Sequence, residues 1–336
     1  MNYIGSKRSL IQFIEKAVEF LVGDNLTDMI FCDLFAGTGI VGRTFKSKVK
    51  KVISNDWEYF SYVLNRNYIG NHKDIKDKQK YIDRLNSLNG PLTNDGLIYR
   101  YYCLGSGSGR QYFSDENGLK IDRARQQVED WFQKGIISEN LYFFLLCSLI
   151  ESADKLANTA SVYGAFLKHL KASAKKPLFI EPALYSINDN EHEVFCEDAN
   201  TLIKRVYGDI LYLDPPYNTR QYGANYHVLN TIAEYHSFIP KGKTGLRDYQ
   251  RSSFCSKGEV KSSFNDIIEN AQFKYIILSY NNEGLMSLSD IENVMTKFGE
   301  YDVFSLEHQR FKADNDDRRR HSASRTTEYL HVLKKF

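Results

Sequence analysis

Asp214-Pro215-Pro216-Tyr217 closes the apolar run Ile210-Leu211-Tyr212-Leu213, which reads as a buried strand ending in a rigid loop. Two successive prolines fix φ and remove two N–H donors. The corner is therefore rich in acceptors: a carboxylate, prolyl carbonyls and an aromatic face. Such a corner suits a planar base that carries an exocyclic amino group. The amine donates to the Asp214 carboxylate and the Pro215 carbonyl while Tyr217 stacks on the ring. A strand that merely stops at a Pro-Pro turn would carry the same four residues, so the rest of the chain must decide.

A second chemical corner lies near the N-terminus. The short apolar strand Met29 to Phe35 runs into Ala36-Gly37-Thr38-Gly39-Ile40-Val41-Gly42 and then a helix. The glycines read G-x-G-x-x-G, and Asp56 follows nineteen residues after Gly37, a spacing that fits a dinucleotide site. Asp33 argues for a different ligand. At the strand end its carboxylate would repel a pyrophosphate, whereas it suits the ammonium and sulfonium of S-adenosylmethionine. Two further strands end in acids: Lys51 to Asp56, and Glu193 to Asp198 followed by a helical stretch from Ala199 to Arg205. Asp56 is placed to accept from the cofactor ribose and Asp198 from its adenine amine, with helix N-capping the competing role for each acid.

The elements that position these corners are strands followed by helices, which indicates an α/β fold. A Rossmann-like, doubly wound parallel sheet would carry its ligand at the carboxyl edge. A chain of 336 residues has room for that sheet and a second module. A formal charge of +2 gives no global nucleic-acid signature, so any polyanion contact comes from local clusters. The 23 tyrosines and 21 phenylalanines supply stacking surfaces as well as core. Five scattered cysteines without a C-x-x-C pair argue for a reducing compartment and against a structural zinc site. No membrane span or signal-peptide core is evident, so a cytoplasmic location is expected.

Taken together, Tyr3-Ile4-Gly5-Ser6-Lys7, Asp33-Leu34-Phe35-Ala36-Gly37-Thr38-Gly39 and Asp214 to Tyr217 resemble, in order, the motifs of D12-class (Dam-like) DNA adenine-N6 methyltransferases. Tyr275 to Gly284 and Glu328 to Leu333 resemble that family's later strands. The resemblance implies S-adenosylmethionine as cofactor and no metal. It places Tyr3 and Lys7 against the methionine end, and assigns Asp33, Phe35, Gly37, Gly39, Asp56 and Asp198 to cofactor contacts. Asp214, Pro215, Pro216 and Tyr217 become the catalytic loop. Double-stranded DNA is the expected partner, a monomer the expected state, and a separately acting restriction endonuclease a potential companion. An RNA adenine-N6 methyltransferase would share the same corner, a cytosine-N4 enzyme more often has Ser at the Asp214 position, and an NAD-dependent oxidoreductase is disfavoured by Asp33.

The remaining sequence divides into a catalytic domain, residues 1–69 and 192–336, and an inserted, mainly helical target-recognition region, residues 70–191. Within the insertion Tyr99 to Cys103 reads as β-like, and Ile121 to Phe132 and Leu141 to Lys171 read as helices. Arg100 and Arg110 are candidates for DNA contact, as are Lys168 and Lys171 in the cluster Lys168, His169, Lys171, Lys175, Lys176, where a solvated helix end is the alternative. Arg220, Gln221 and Tyr222 follow the catalytic loop and would line the base pocket or fill the place of a flipped base, with a plain surface loop the alternative. Lys241 to Lys261 reads as a mobile loop over DNA. Arg318 and Arg319 would clamp phosphate from a hairpin tip, or belong to a tip that is simply solvated.

Overall fold

The computed structural model describes residues 6–89, 96–309 and 325–336. Seven strands form one sheet: β1 (Ile30–Asp33), β2 (Lys51–Asn55), β3 (Glu193–Phe195), β4 (Tyr207–Leu213), β5 (Gln272–Asn281), β6 (Gly299–Gln309) and β7 (Arg325–Lys335). Their order is β3-β2-β1-β4-β5-β7-β6. The first five are parallel neighbours, with Cys32 level with Ile53 on one side and Leu211 on the other. The expected α/β doubly wound sheet is present, but it is mixed rather than all parallel. β7 runs antiparallel to both β5 and β6, because β6 and β7 are consecutive strands paired directly instead of through a crossover.

Alternation along β1 sends Cys32 and Leu34 to one face and Phe31 and Asp33 to the other. The first face joins Leu211, Leu213, Ile276 and Leu278 under the helix Val260–Asn270, which contributes Val260, Phe264, Ile267 and Ile268. On the second face Phe31 stacks on Phe45 at 4.3 Å and lies 6.4 Å from Tyr212. Since β1, β2, β3, β4 and β5 point the same way, Asp33, Asp56, Asp214 and Asn281 all reach one edge.

The chain divides into two compact units, and the division differs from the expected one. The sheet unit comprises residues 5–57, 190–221 and 251–336; the other takes residues 58–189 and 222–250. The helices Tyr59–Asn65 and His227–Glu234, expected in the catalytic domain, share a core with the helices Asp115–Gln133 and Glu139–Leu156. The cause is apolar burial: Phe60, Val63, Leu64, Val228, Leu229 and Ile232 are all fully buried in that second core. Asn230 then accepts from the Phe60 N–H at 3.0 Å.

Two local expectations in the helical unit also change. Leu97–Tyr102 is a helix, not a strand. The buried Asp122 carboxylate accepts from the Ile98 and Tyr99 N–H groups at 2.8 Å each, satisfying donors that open a helix. The helix expected over Leu141 to Lys171 ends at Leu156. Beyond it, the Asn158 amide gathers the loop by donating to the Gln111 and Leu167 carbonyls and accepting from the Lys171 N–H.

Candidate active site at the carboxyl edge of the sheet

Asp33 ends β1 and turns inward, with only 1% of its surface exposed. Its Oδ2 accepts from the Gly42 N–H at 3.1 Å and so fixes the first turn of the helix Ile40–Phe45 to the strand it follows. Its Oδ1 has no hydrogen-bond partner among the described residues. Burial, reinforced by the nearby Asp214 and Asp56 charges, pushes the Asp33 carboxyl up to about 8, with the Gly42 bond opposing. The glycine turn needs its glycines: Gly37 and Gly39 have φ of 52° and 75°. Asp56 holds this turn, accepting from the Gly37 N–H at 2.7 Å. Asn55 knits neighbouring strand ends by donating to the Leu34 and Glu197 carbonyls and accepting from the Glu197 N–H.

β4 delivers Asp214 to the same edge. The Lys7 ammonium lies 2.8 Å from Asp214 Oδ1, and both side chains are largely buried. Burial works against the Lys7 charge, but the carboxylates of Asp214 and Glu328 outweigh it and raise its pKa. Burial likewise raises the Asp214 carboxyl, with the Lys7 ammonium pulling the other way. Tyr217 is half-buried. Its carbonyl accepts from the Leu285 N–H at 3.0 Å, which ties the loop to the end of β5. Tyr212 and Ser279 add two buried hydroxyls that interact with each other. One edge thus gathers a cation, four acidic side chains and two buried hydroxyls.

The other expected residues divide sharply. Phe35 lies half-buried, edge-on to Phe254 at 5.1 Å. Asp198 caps the helix Ala199–Leu202, its Oδ1 accepting from the Thr201 N–H at 3.0 Å, so its expected capping role is formed. Tyr3, Arg318 and Arg319 lie outside the described residues. Arg110 is not presented to a partner, since its guanidinium donates to the Tyr101, Gly242 and Lys243 carbonyls. The Gln221 amide is engaged with Ser252. Tyr222 lies half-buried in the helical unit with its ring 6.1 Å from that of Tyr226. The Arg100 guanidinium sits over Tyr101, and Lys171 Nζ donates to the Thr159 carbonyl at 2.8 Å. Lys168 and Arg220 are exposed. The basic cluster lies beyond the helix that ends at Leu156, and of its members Lys175 closes a short 3-10 helix, Ser173–Lys175. Lys241 to Lys261 is not a slack loop: Lys241 and Leu246 exchange two backbone bonds of 2.8 Å, and a helix starts at Val260.

Sequence reasoning missed Glu328 as a member of this edge. Its only signal was its place in a late strand, and its register opposite Asn281 appears only once β7 pairs with β5. Among the described residues no cluster of His, Cys, Asp and Glu can hold a metal ion, and no helix is long and apolar enough to cross a membrane.

A seven-stranded sheet of this order, with a glycine turn after β1 and an acid-proline loop after β4, defines a methyltransferase of the α/β class. The family description D12 class N6 adenine-specific DNA methyltransferase matches residues 3–294, and the chain belongs to that family. It is 58% identical over 335 residues to type II methyltransferase M.NlaIII of Neisseria lactamica, covering 100% of this chain and 99% of that protein. Type II methyltransferase M.CviAII of Paramecium bursaria Chlorella virus 1 is 38% identical, with 93% of each chain covered. Type II methyltransferase M.FokI of Planomicrobium okeanokoites is 37% identical across 100% of this chain, which spans 53% of that longer protein. The protein is an adenine-specific DNA methyltransferase, and the RNA and NAD-dependent alternatives are not favoured.

Proposed function

We propose that this enzyme transfers the methyl group of S-adenosylmethionine to N6 of an adenine flipped out of duplex DNA. The observation that carries this reading is the buried Lys7–Asp214 pair standing beside the glycine turn. The edge fits the cofactor: Gly37 and Gly39, lacking a Cβ, allow close approach of the backbone, Asp56 braces the turn, and Asp33 Oδ1 has no hydrogen-bond partner among the described residues. Asp33, Asp56, Phe35 and the two glycines would hold it, with Tyr3 and Lys7 at its methionine end and Asp198 at its adenine. When bound, S-adenosylmethionine supplies an activated methyl group on a sulfonium.

The chain's own residues then act on the base. Lys7 takes Asp214 Oδ1, and Oδ2 accepts one N–H of the adenine amine while the Pro215 carbonyl accepts the other. Holding both N–H bonds draws N6 toward tetrahedral geometry and localises its lone pair, and the acceptors stabilise the positive charge that develops there. Pro216 keeps the loop rigid. Tyr217 stacks on the ring, which compensates for leaving the duplex. The N6 proton leaves to Asp214 or to solvent. The helical unit serves as the target-recognition region. The enzyme acts as a monomer in the cytoplasm, and its site-specific marks protect DNA from a separately acting endonuclease, a reading supported by the type II names of its relatives.

Methyl-labelled cofactor, defined duplex DNA and RNA, and nucleoside analysis test this directly. Label on N6-methyladenine in duplex DNA, lost in Asp214→Ala with cofactor binding retained, is the expected result. Label in RNA and none in DNA would overturn it.

A further inference from the structure

We infer that Gln221 is a positioning residue for the catalytic loop, and not a reader of bases; the inference rests on the reading of Asp214 to Tyr217 given above. The Gln221 side-chain amide grips a single residue of the main chain from both sides. Its Oε1 accepts from the Ser252 N–H at 2.9 Å, and its Nε2 donates to the Ser252 carbonyl at 3.3 Å. A backbone residue in a β-bridge makes the same two bonds, so the side chain substitutes for a strand partner. The neighbouring residue is tied as well: the Cys255 thiol lies 3.4 Å from the Arg220 carbonyl.

The location gives the grip its function. The chain leaves the sheet unit after Gln221 and returns to it at Arg251, so the pair with Ser252 closes that excursion at its base. Within the helical unit, Gly223 approaches Tyr249 so closely that a Cβ there would lie 2.7 Å from the Tyr249 Cβ. The catalytic loop is thereby anchored at two points. Leu285 holds its Tyr217 carbonyl, and Ser252 holds it four residues further on. Ser252 also leads directly to Phe254, which is buried against Phe35 of the cofactor turn. Gln221 therefore links the segment that carries Tyr217 to a segment packed on the glycine motif. Releasing it leaves both chemical corners present but lets their spacing drift. A misplacement of about 1 Å is enough to cost up to about a hundredfold in rate.

The test compares wild type, Gln221→Ala, Gln221→Glu, Ser252→Ala and Ser252→Pro for kcat, KM for DNA, cofactor Kd, target preference and Tm. Gln221→Ala is expected to lower kcat by about tenfold or more, with cofactor Kd and Tm nearly unchanged and target preference intact. Gln221→Glu keeps the accepting bond and loses the donating one, so it falls between wild type and Gln221→Ala. Ser252 has φ of −72°, which proline accepts, so Ser252→Pro removes the N–H and reproduces the loss. Ser252→Ala keeps that N–H and retains most of the activity. Unchanged kcat with a raised KM and relaxed target preference would overturn the inference in favour of base reading. So would an activity loss that merely tracks a fall in Tm. If wild type itself places no methyl on DNA adenine, the functional reading fails instead, and that outcome is visible before any variant is compared.

Discussion

Buried polar side chains do opposite work in the two units. In the helical unit several of them splint loops, although Ser61 Oγ, Arg66 Nε, Arg123 Nε and Arg247 Nη1 have no hydrogen-bond partner among the described residues. Asn117 donates to the Lys176 carbonyl and accepts from the Leu178 N–H, and Arg125 closes the end of the helix His227–Glu234 by donating to the Ile232 and Ala233 carbonyls. Asn158 and Asp122 splint other loops in the same manner. In the sheet unit the ladder already satisfies the backbone, and at its carboxyl edge a buried carboxyl oxygen keeps bonding capacity: Asp33 Oδ1 lacks a hydrogen-bond partner among the described residues. A polar side chain bonded to loop backbone holds the fold together, whereas an unsatisfied one at the carboxyl edge of the sheet keeps capacity for a ligand.

That contrast is broken most easily at its extremes. Asp214→Ala in the sheet unit removes an acceptor for the developing charge. It should cut turnover per folded molecule by about a thousandfold or more, and, because it leaves the buried Lys7 ammonium unpaired, it should lower stability as well. A variant with near-normal turnover would remove Asp214 from the mechanism. Asp122→Ala in the helical unit should act on stability alone. It strips the acceptor from two buried N–H groups and from the Tyr235 hydroxyl, at a cost of about 2–4 kcal/mol. Denaturant unfolding measures this, and activity per folded molecule should survive. Loss of turnover without loss of stability would contradict the division of labour.

The same contrast explains what could be read from the sequence. At the sheet edge the chemistry and the turn that presents it are adjacent in the chain, as in Asp33 to Gly39 and Asp214 to Tyr217, so type and spacing suffice. The helix Leu97–Tyr102 was not legible because its aromatic run suits a strand, and the Asp122 cap stands 24 positions beyond Ile98. The extent of the helical unit was hidden for a related reason. Residues 222–250 join it through side chains such as Asn230, whose partner Phe60 is 170 positions away. Arg110 and Gln221 looked available because a sequence shows a donor but not the carbonyl that already holds it.

Asp33 sharpens the comparison through pH. Without cofactor its carboxyl holds a proton up to about pH 8, because burial disfavours the charge. A cationic ligand favours the ionised form. Cofactor Kd should therefore fall as pH rises toward 8 and level off above it, by up to about tenfold per unit. Asp33→Asn keeps an acceptor for Gly42 and should flatten the profile. The sign for stability is opposite: unfolded Asp33 ionises near the ordinary aspartate value, so the ligand-free protein should lose stability as pH climbs from about 4 to 8. Calorimetric titration across that range measures the first effect and unfolding curves the second. A Kd that does not change with pH would mean that Asp33 only braces the glycine turn.

The smallest effects separate two lysines of one basic cluster. Lys168 is exposed, whereas Lys171 reaches the Thr159 carbonyl in the loop that Asn158 gathers. If Lys168 meets a phosphate, Lys168→Ala should raise KM for DNA a few-fold and reduce the slope of log affinity against log salt by about one. Stability should not move. Lys171→Ala should leave that slope unchanged and instead cost about 1 kcal/mol of unfolding free energy, the worth of one hydrogen bond to a backbone carbonyl. Equal salt slopes for both variants, with stability unaffected in each, would show that saturation of a side chain in this unit does not remove it from DNA binding.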